Sequence, residues 1–333
     1  MAVLDRPAAS SLQIEDYNRG VIKNATQLSA AMSLFSRRRM TKKQQRMSVL
    51  ATKPIAAFVT GPDTDVGLKP TTSMSWANVY MNAEPIACIV PIAQDLLDDS
   101  DYDLWGEIKP ELEEAVAAVV DAAIFFGAGA PATWPTAIVT AAVAAGNTVN
   151  VGTGVDLAAD LNTALGFVEA DGFLPDGWFM SMTELATLRG QRDANRQFLF
   201  NRAGPSNTGL QNVGPEAGDR RRGRMGYQGD IYNLTSYTSA LGLAGFNVTS
   251  GNARYVTGDF TQGMLGVRAD IQYTMLKEAT LYNADGSVMF ALAQQDMVAL
   301  RAVLRVGFVI PNPPTRMNSN NATRYPFAVV RTP

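Results

Sequence analysis

The chain has 333 residues, 47% of them apolar and 18% charged, with a formal net charge of −3. At roughly 100–200 residues per domain this length points to about two domains with a real core, and it excludes a peptide or a wholly disordered chain. There is no histidine, which removes imidazole general bases, histidine metal sites and any switch built on imidazole titration near neutral pH. Charge content below the roughly 25% usual in soluble domains implies that much of the surface faces something other than water. A single cysteine, Cys88, excludes an intrachain disulfide and a multi-cysteine metal cluster. The first twenty residues lack the apolar core of a secretory signal. The longest uncharged stretch, 122–155, is interrupted by Gly127, Gly129, Pro131, Pro135 and Gly146, whereas a membrane span needs about 20 continuous apolar residues. A soluble intracellular protein with no membrane contact and no cofactor is expected.

Residues 1–50 carry nine basic side chains against three acidic ones, clustered at Arg37, Arg38, Arg39, Lys42, Lys43 and Arg46. The plain reading is a solvated, charged arm. From Lys53 to Ile92 the pattern is extended. A run at Ile55–Val59 leads into a turn-rich tip from Gly61 to Pro70, and a second run, Ser73–Ile92, brings in Met74, Trp76, Val79 and Tyr80. This predicts a long two-stranded hairpin, which is marginally stable alone and must lie on its own domain or on a neighbouring subunit.

Apolar residues at Leu104, Ile108, Leu112, Val116, Val119, Ala123 and Phe126 recur at steps of three and four, predicting a helix over 101–126. Ser100 is placed to cap it and Gly127 to end it, while Pro110 should kink or restart it. At about 1.5 Å per residue the helix would span roughly 40 Å. Short elements follow: a strand at Thr148–Val151, a helix at Asp156–Glu169, a strand at Trp178–Ser181 and a helix at Thr183–Arg189. A second basic knot, Arg220, Arg221, Arg222 and Arg224, sits in a Gly/Asn/Pro-rich stretch from Ala203 to Gly229 that reads as a loop. Beyond it, Ile231–Tyr237, Ala253–Tyr255, Met264–Tyr273, Ser287–Leu292 and Val298–Val309 are rich in β-branched or aromatic residues, so the later half is mostly sheet.

Enzyme-like motifs are few. Gly152-Thr153-Gly154 between a strand and a helix imitates a phosphate cradle, but Leu157 stands at the third glycine position and Asp156 puts a negative charge where the phosphate would sit. A plain turn with an Asp cap is the better account. Asp99-Ser100-Asp101-Tyr102-Asp103 imitates the start of a calcium loop, with Leu104 where glycine and Pro110 where glutamate are needed, so it reads as a capping cluster. Lys69, at the hairpin tip, is the one lysine whose setting suggests more than surface charge; its plain role is to discourage edge pairing.

The order of these pieces carries a resemblance. A basic arm, a long hairpin and Pro91-Ile92-Ala93-Gln94-Asp95-Leu96-Leu97-Asp98-Asp99-Ser100 open a long helix that ends in Phe125-Phe126-Gly127-Ala128-Gly129. There follow Gly177-Trp178-Phe179-Met180-Ser181, then Gly258-Asp259-Phe260 with Leu265-Gly266-Val267-Arg268, and a closing segment from Asp296 to Val309. Over roughly residues 52–312 this resembles the major capsid proteins of tailed double-stranded DNA phages, the HK97-fold family.

The resemblance implies an α+β, HK97-like capsid fold with an N-arm, an extended E-loop β-hairpin, a peripheral domain with a long spine helix and an axial α/β domain. The implied boundaries are 1–51 for the N-arm, 52–84 for the E-loop, 85–133 with 259–306 for the peripheral domain (spine helix 101–126), and 134–258 with 307–333 for the axial domain and C-terminal segment. It implies a structural, non-enzymatic subunit that assembles with itself into pentamers and hexamers around packaged DNA. A separate scaffold protein, a portal and decoration proteins are the implied partners, and contact with DNA is non-specific. The candidate interface residues are Arg37, Arg38, Arg39, Lys42 and Lys43 of the arm, Lys69, Met74 and Trp76 of the hairpin, and the Arg220–Arg224 knot. Some family members join an E-loop lysine to an asparagine of a neighbour, assisted by a glutamate. Lys69 is suitably placed, but Val288, Met289 and Gln295 stand near the partner positions, so no cross-link is expected. An encapsulin-type compartment shell and a soluble α/β nucleotide-binding enzyme are the alternatives.

Overall fold

The computed structural model describes residues 29–58, 71–99, 104–192, 226–232, 234–239, 241–246, 252–283 and 285–333. A short helix α1 (Ala30–Leu34) enters strand β1 (Ser36–Arg39), followed by β2 (Gln44–Thr52), β3 (Ser75–Asn82) and β4 (Glu84–Ala93). Helices α2 (Gln94–Asp99), α3 (Leu104–Asp121) and α4 (Ile138–Ala145) precede β5 (Thr148–Asn150), α5 (Leu157–Ala170), β6 (Gly177–Ser181) and α6 (Met182–Gly190). Strands β7 (Gly226–Ile231), β8 (Leu234–Ser239), β9 (Ala253–Gly258), β10 (Met264–Leu276), β11 (Thr280–Tyr282), β12 (Val288–Ala291), β13 (Met297–Val309) and β14 (Phe327–Arg331) complete the chain.

Two main sheets are interleaved along the sequence. The first has order β1-β10-β13-β4 and the second β5-β14-β9-β6-β8-β7, while β2-β3 and β11-β12 are separate two-stranded ribbons. β10 and β13 form a long antiparallel ladder, with β4 antiparallel to β13 and β1 parallel to β10 on the outer edge. The second sheet is mixed: β5 runs parallel to β14 and β6 parallel to β8.

The core between the sheets is aromatic. Phe35 packs against Phe125, Phe260 and Phe308 at ring distances of 5.9, 5.7 and 5.4 Å, and Phe125 stacks on Phe179 at 4.2 Å. In β6 and β14 successive residues serve two cores: Phe179, Phe327 and Val329 face this cluster, and Trp178, Met180, Ala328 and Val330 face the one beneath α5 and α6. Burial on both faces explains why these strands read as unbroken apolar runs.

Helix α3 lies on the first sheet through Leu112, with Trp105 and Ile108 packed against Leu300 and Ala302. It runs through Pro110 without a break: the lost backbone donor and the crowding of the preceding turn are offset by the packing of Trp105, Ile108 and Leu112 on the sheet around it. Its last turn, Ala122–Phe126, is a π turn, and Gly127 ends it at φ 77°, a left-handed conformation that favours glycine. Ser100 and Asp101–Asp103, the expected cap and calcium-like run, lie outside the described residues.

Several expectations are corrected. The hairpin's first strand is Gln44–Thr52 rather than 55–59: pairing with β3 ends at Thr52, just before Pro54, which has no amide to donate. The second run splits, because residues 84–93 leave the ribbon and pair with β13. Arg37–Arg39 are not free arm but strand β1. The single strand expected at Ile231–Tyr237 is a reversal between β7 and β8, with Tyr232 at φ 53°. Strand β14 and helices α2 and α4 were not expected.

Candidate subunit interface

The β2–β3 ribbon presents two different faces. Cross-strand pairs share a face, so Met47 and Val79 lie with Gln45 and Met81, while Arg46 and Tyr80 lie with Leu50 and Trp76. The first face is anchored: Met81 is buried with Met40, Ala83 and Val309, and Met47 and Val79 pack against them. Among the described residues nothing covers the second face. Trp76 is 64% exposed, Tyr80 47%, and beyond the strands Ile55 is 72% and Phe58 97% exposed; Met74 is exposed as well. Aromatics exposed on one face of a ribbon are the mark of an interaction surface, and Trp and Tyr supply much contact area at low entropic cost. Met74 and Trp76, expected as interface residues, are both exposed in the single chain.

Polar contacts fix the ribbon's base. Trp134 Nε1 donates to the Asn82 carbonyl at 3.1 Å, Asn82 Nδ2 donates to the Thr133 carbonyl at 3.1 Å, and the Ala83 amide donates to the Lys43 carbonyl at 2.8 Å. The Arg316 guanidinium donates to the Pro54 carbonyl at 2.6 Å, tying the ribbon to the C-terminal segment. A second projection, β11–β12, exposes Tyr282, Val288 and Met289, and its turn is held by Asp285, which accepts from the Ser287 amide and hydroxyl. Val288 and Met289 offer no carboxamide.

The basic residues separate in space. Arg37, Arg38 and Arg39 alternate along the exposed edge strand β1, and Arg37 lines a cleft with Ser29, Met32, Glu113 and Ile271. Lys42 is exposed in the turn before β2, and Lys43 is 3.8 Å from Glu84. Lys69 and Arg220, Arg221, Arg222 and Arg224 lie outside the described residues.

The motifs behind the resemblance now have physical roles. At Gly258 a Cβ would collide with the Pro326 carbonyl and Phe327. Asp259 caps the following 3-10 turn by accepting from the Thr261 amide and hydroxyl, and Phe260 is buried in the aromatic core. Asp176 accepts from the Phe260 amide at 3.0 Å, and its carboxyl is held above the ordinary range by burial, with Asp259 nearby adding to the effect.

Buried charges elsewhere are structural. Arg254 donates twice to Glu184 Oε2, at 2.9 and 2.7 Å, joining β9 to α6. Asp171 accepts from Asn147 Nδ2, Asn318 Nδ2 and the Tyr325 amide, pinning the C-terminal segment to α5. Asp121, at the end of α3, accepts from Ser29 and the Ala30 and Ala31 amides. None of these was singled out in the sequence, though an Asp within a helix's apolar stripe was the available signal for Asp121. The Gly152-Thr153-Gly154 turn is closed to phosphate: the Gly152 and Gly154 amides both donate to Asp160 at 2.7 Å, while Asp156 caps α5. Among the described residues no three His, Cys, Asp or Glu side chains are grouped to hold a metal ion, and no helix is long and apolar enough to cross a membrane.

Comparison with known proteins places the chain in a family. The model of the phage capsid family matches residues 14–215. The major capsid protein of Staphylococcus phage 80alpha is 25% identical over 303 residues, covering 89% of this chain and 81% of the relative. A solved chain from Microbacterium phage Oxtober96 is 34% identical with a TM-score of 0.79, covering 100% of both chains. One from Mycobacterium phage Cain is 28% identical with a TM-score of 0.80, covering 100% of this chain and 99% of the other. With an HK97-like fold, an uncovered apolar ribbon and a match over more than half its length, the chain belongs to the phage capsid family.

Proposed function

We propose that this chain is the major capsid subunit of a tailed double-stranded DNA phage, a virion component that assembles with itself into the pentamers and hexamers of an icosahedral head. The observation that carries this reading is the β2–β3 ribbon, whose outer face leaves Trp76 and Tyr80 uncovered. Burial of that face requires a partner, and a heterologous contact between identical copies forms rings when its rotation closes.

On this reading the first sheet with α3 is the peripheral domain and its spine, the second sheet is the axial domain, and the ribbon is the E-loop, beginning at Gln44. Arg38, Arg39 and Lys42 are exposed and meet either neighbouring subunits or DNA phosphates, the latter without sequence preference. A separate scaffold protein, a portal and decoration proteins complete the particle. The subunit performs no catalysis, and Lys69 forms no isopeptide bond because Val288, Met289 and Gln295 occupy the partner region.

Negative-stain microscopy of the purified protein tests the function: closed shells or capsomer rings are expected, and dispersed monomers at assembly concentrations would contradict it. A denaturing gel of mature particles tests the cross-link: a single monomer band is expected, and a ladder of covalent oligomers would overturn that part alone.

A further inference from the structure

The β2–β3 ribbon is held at two places of different kind. At its base Met81 is buried with Met40, Ala83 and Val309, and Trp134 Nε1 donates to the Asn82 carbonyl at 3.1 Å. The nine residues of β2, at about 3.3 Å each, carry the other end about 30 Å away. There the ladder stops at Thr52, so the Pro54 carbonyl has no strand partner and accepts instead from Arg316 Nη1 at 2.6 Å. Among the described residues no other hydrogen bond from outside reaches the ribbon beyond Asn82; the Ser75–Thr52 and Ile55–Thr72 bonds join it only to itself.

Arg316 is exposed, but the backbone that carries it is fixed to the part of the molecule built on the second sheet. Its neighbour Thr315 donates to the carbonyl of Asp171, the C-cap of α5, at 2.6 Å, and accepts from the Asn318 amide at 2.9 Å. Asn318 Nδ2 donates to Asp171 Oδ1 at 2.7 Å. At Gly172 a Cβ would lie 2.9 Å from Thr315, so this loop touches the end of α5 without room for a side chain. Pro313 and Pro314 fix φ just before it. A long cation on an immobilised loop of the second sheet thus reaches the far end of a ribbon rooted in the first.

We propose that Arg316 is a positioning residue for assembly, its bond to Pro54 fixing the angle at which the ribbon leaves the subunit. This rests on the reading of the chain as a self-assembling capsid subunit with the ribbon as its contact. A two-stranded ribbon has little stability of its own, so its base alone does not hold the far end still. A swing of about 10° about the base moves that end by about 5 Å, which is enough to take packed side chains out of contact. Rings of five and of six need different rotations between neighbours, so a contact whose angle is poorly fixed closes rings in the wrong proportions. Loss of Arg316 therefore changes the geometry of what assembles rather than the stability of the subunit.

Spin labels at Ala51→Cys, near the far end of the ribbon, and at Asn162→Cys, exposed on α5, read the angle in the free subunit by pulsed dipolar distance measurement, with Cys88→Ala removing the native thiol. Arg316→Ala is expected to widen the distance distribution about twofold, because only the base then restrains the ribbon. Arg316→Lys keeps a cationic donor and is expected to restore most of the narrow distribution. Thermal unfolding of the free subunit should be unchanged, as the side chain is exposed. In unlabelled protein, Arg316→Ala is expected to give a spread of shell diameters about twofold wider than that of the wild type by electron microscopy. An unchanged distance distribution in Arg316→Ala would overturn the proposal, and so would a widened distribution with shells as uniform as those of the wild type. Failure of the wild-type chain itself to form shells would contradict the capsid reading, and the role in assembly with it, while the distance measurement still reports whether Arg316 holds the ribbon.

Discussion

Gly266 of β10 and Gly307 of β13 face each other across the ladder, and the space their side chains would fill is taken by Met40, Met81 and the Asn82 backbone. This pair is where the ribbon's base crosses the first sheet, so it sets the direction in which the ribbon leaves. A Cβ on Gly307 would lie 2.7 Å from the Asn82 carbonyl oxygen, a backbone atom that moves only if the ribbon does. Gly307→Ala is expected to cost about 1–3 kcal/mol by overpacking. It should also redirect the ribbon and sharply lower the yield of closed shells. Urea unfolding of the free subunit and sedimentation of assembled material measure the two effects, and wild-type yields would contradict the role given to the pair.

Trp76 lies opposite Leu50 on the uncovered face, and Tyr80 opposite Arg46. Replacing either aromatic by Ser should leave the free subunit's stability within about 0.5 kcal/mol, because exposed side chains contribute little to folding. Assembly should suffer heavily, as buried aromatic anchors at an interface are worth about 2 kcal/mol or more each. Comparing thermal unfolding of subunits with shell yield separates the effects; a variant that assembles normally would remove that residue from the interface.

The Arg254–Glu184 pair is nearly enclosed, with side chains 13% and 3% exposed. Arg254→Met strands a buried carboxylate and is expected to destabilise the second sheet by about 3–5 kcal/mol. The double change Arg254→Met with Glu184→Met should recover much of that loss. Chemical denaturation of the four variants gives the coupling, and additive losses would show that the pair does not act as a unit.

Asp160 collects the Gly152 and Gly154 amides that a phosphate-binding turn would leave free. Asp160→Ala leaves both donors without this acceptor and should lower stability by about 1–3 kcal/mol. An unchanged unfolding midpoint would contradict this assignment.

Much of the architecture was legible because it follows local rules. The 3.6-residue stripe of α3, the Asp156 cap of α5 and the runs of β6, β10 and β13 lie close to where pattern and propensity place them. What failed depended on tertiary context. Gln44–Thr52 alternates weakly and directly follows the basic run from Arg37 to Lys43, so its pairing with β3 was not visible. Arg37–Arg39 reads as a solvated run, yet its backbone completes the edge of a sheet by pairing with β10, more than 200 residues on. β14 is buried on both faces but follows a polar Asn-rich stretch, and only its non-local pairing with β5 and β9 makes it a strand. On the ribbon, Met74 and Trp76 are legible as apolar residues of an unsupported hairpin, and both are exposed in the single chain. The anchors Met40, Met81, Gly266 and Gly307 were not, since close approach between distant segments leaves no periodic trace.

The ribbon is uncovered in the single chain, and an adjacent copy is expected to cover it. Cryo-electron microscopy of assembled particles tests this most directly. The expected result is an icosahedral shell of five- and six-membered rings in which Trp76 and Tyr80 are buried against the neighbouring subunit. A shell in which both side chains remain open to solvent, or a protein that forms no closed shell, would contradict it.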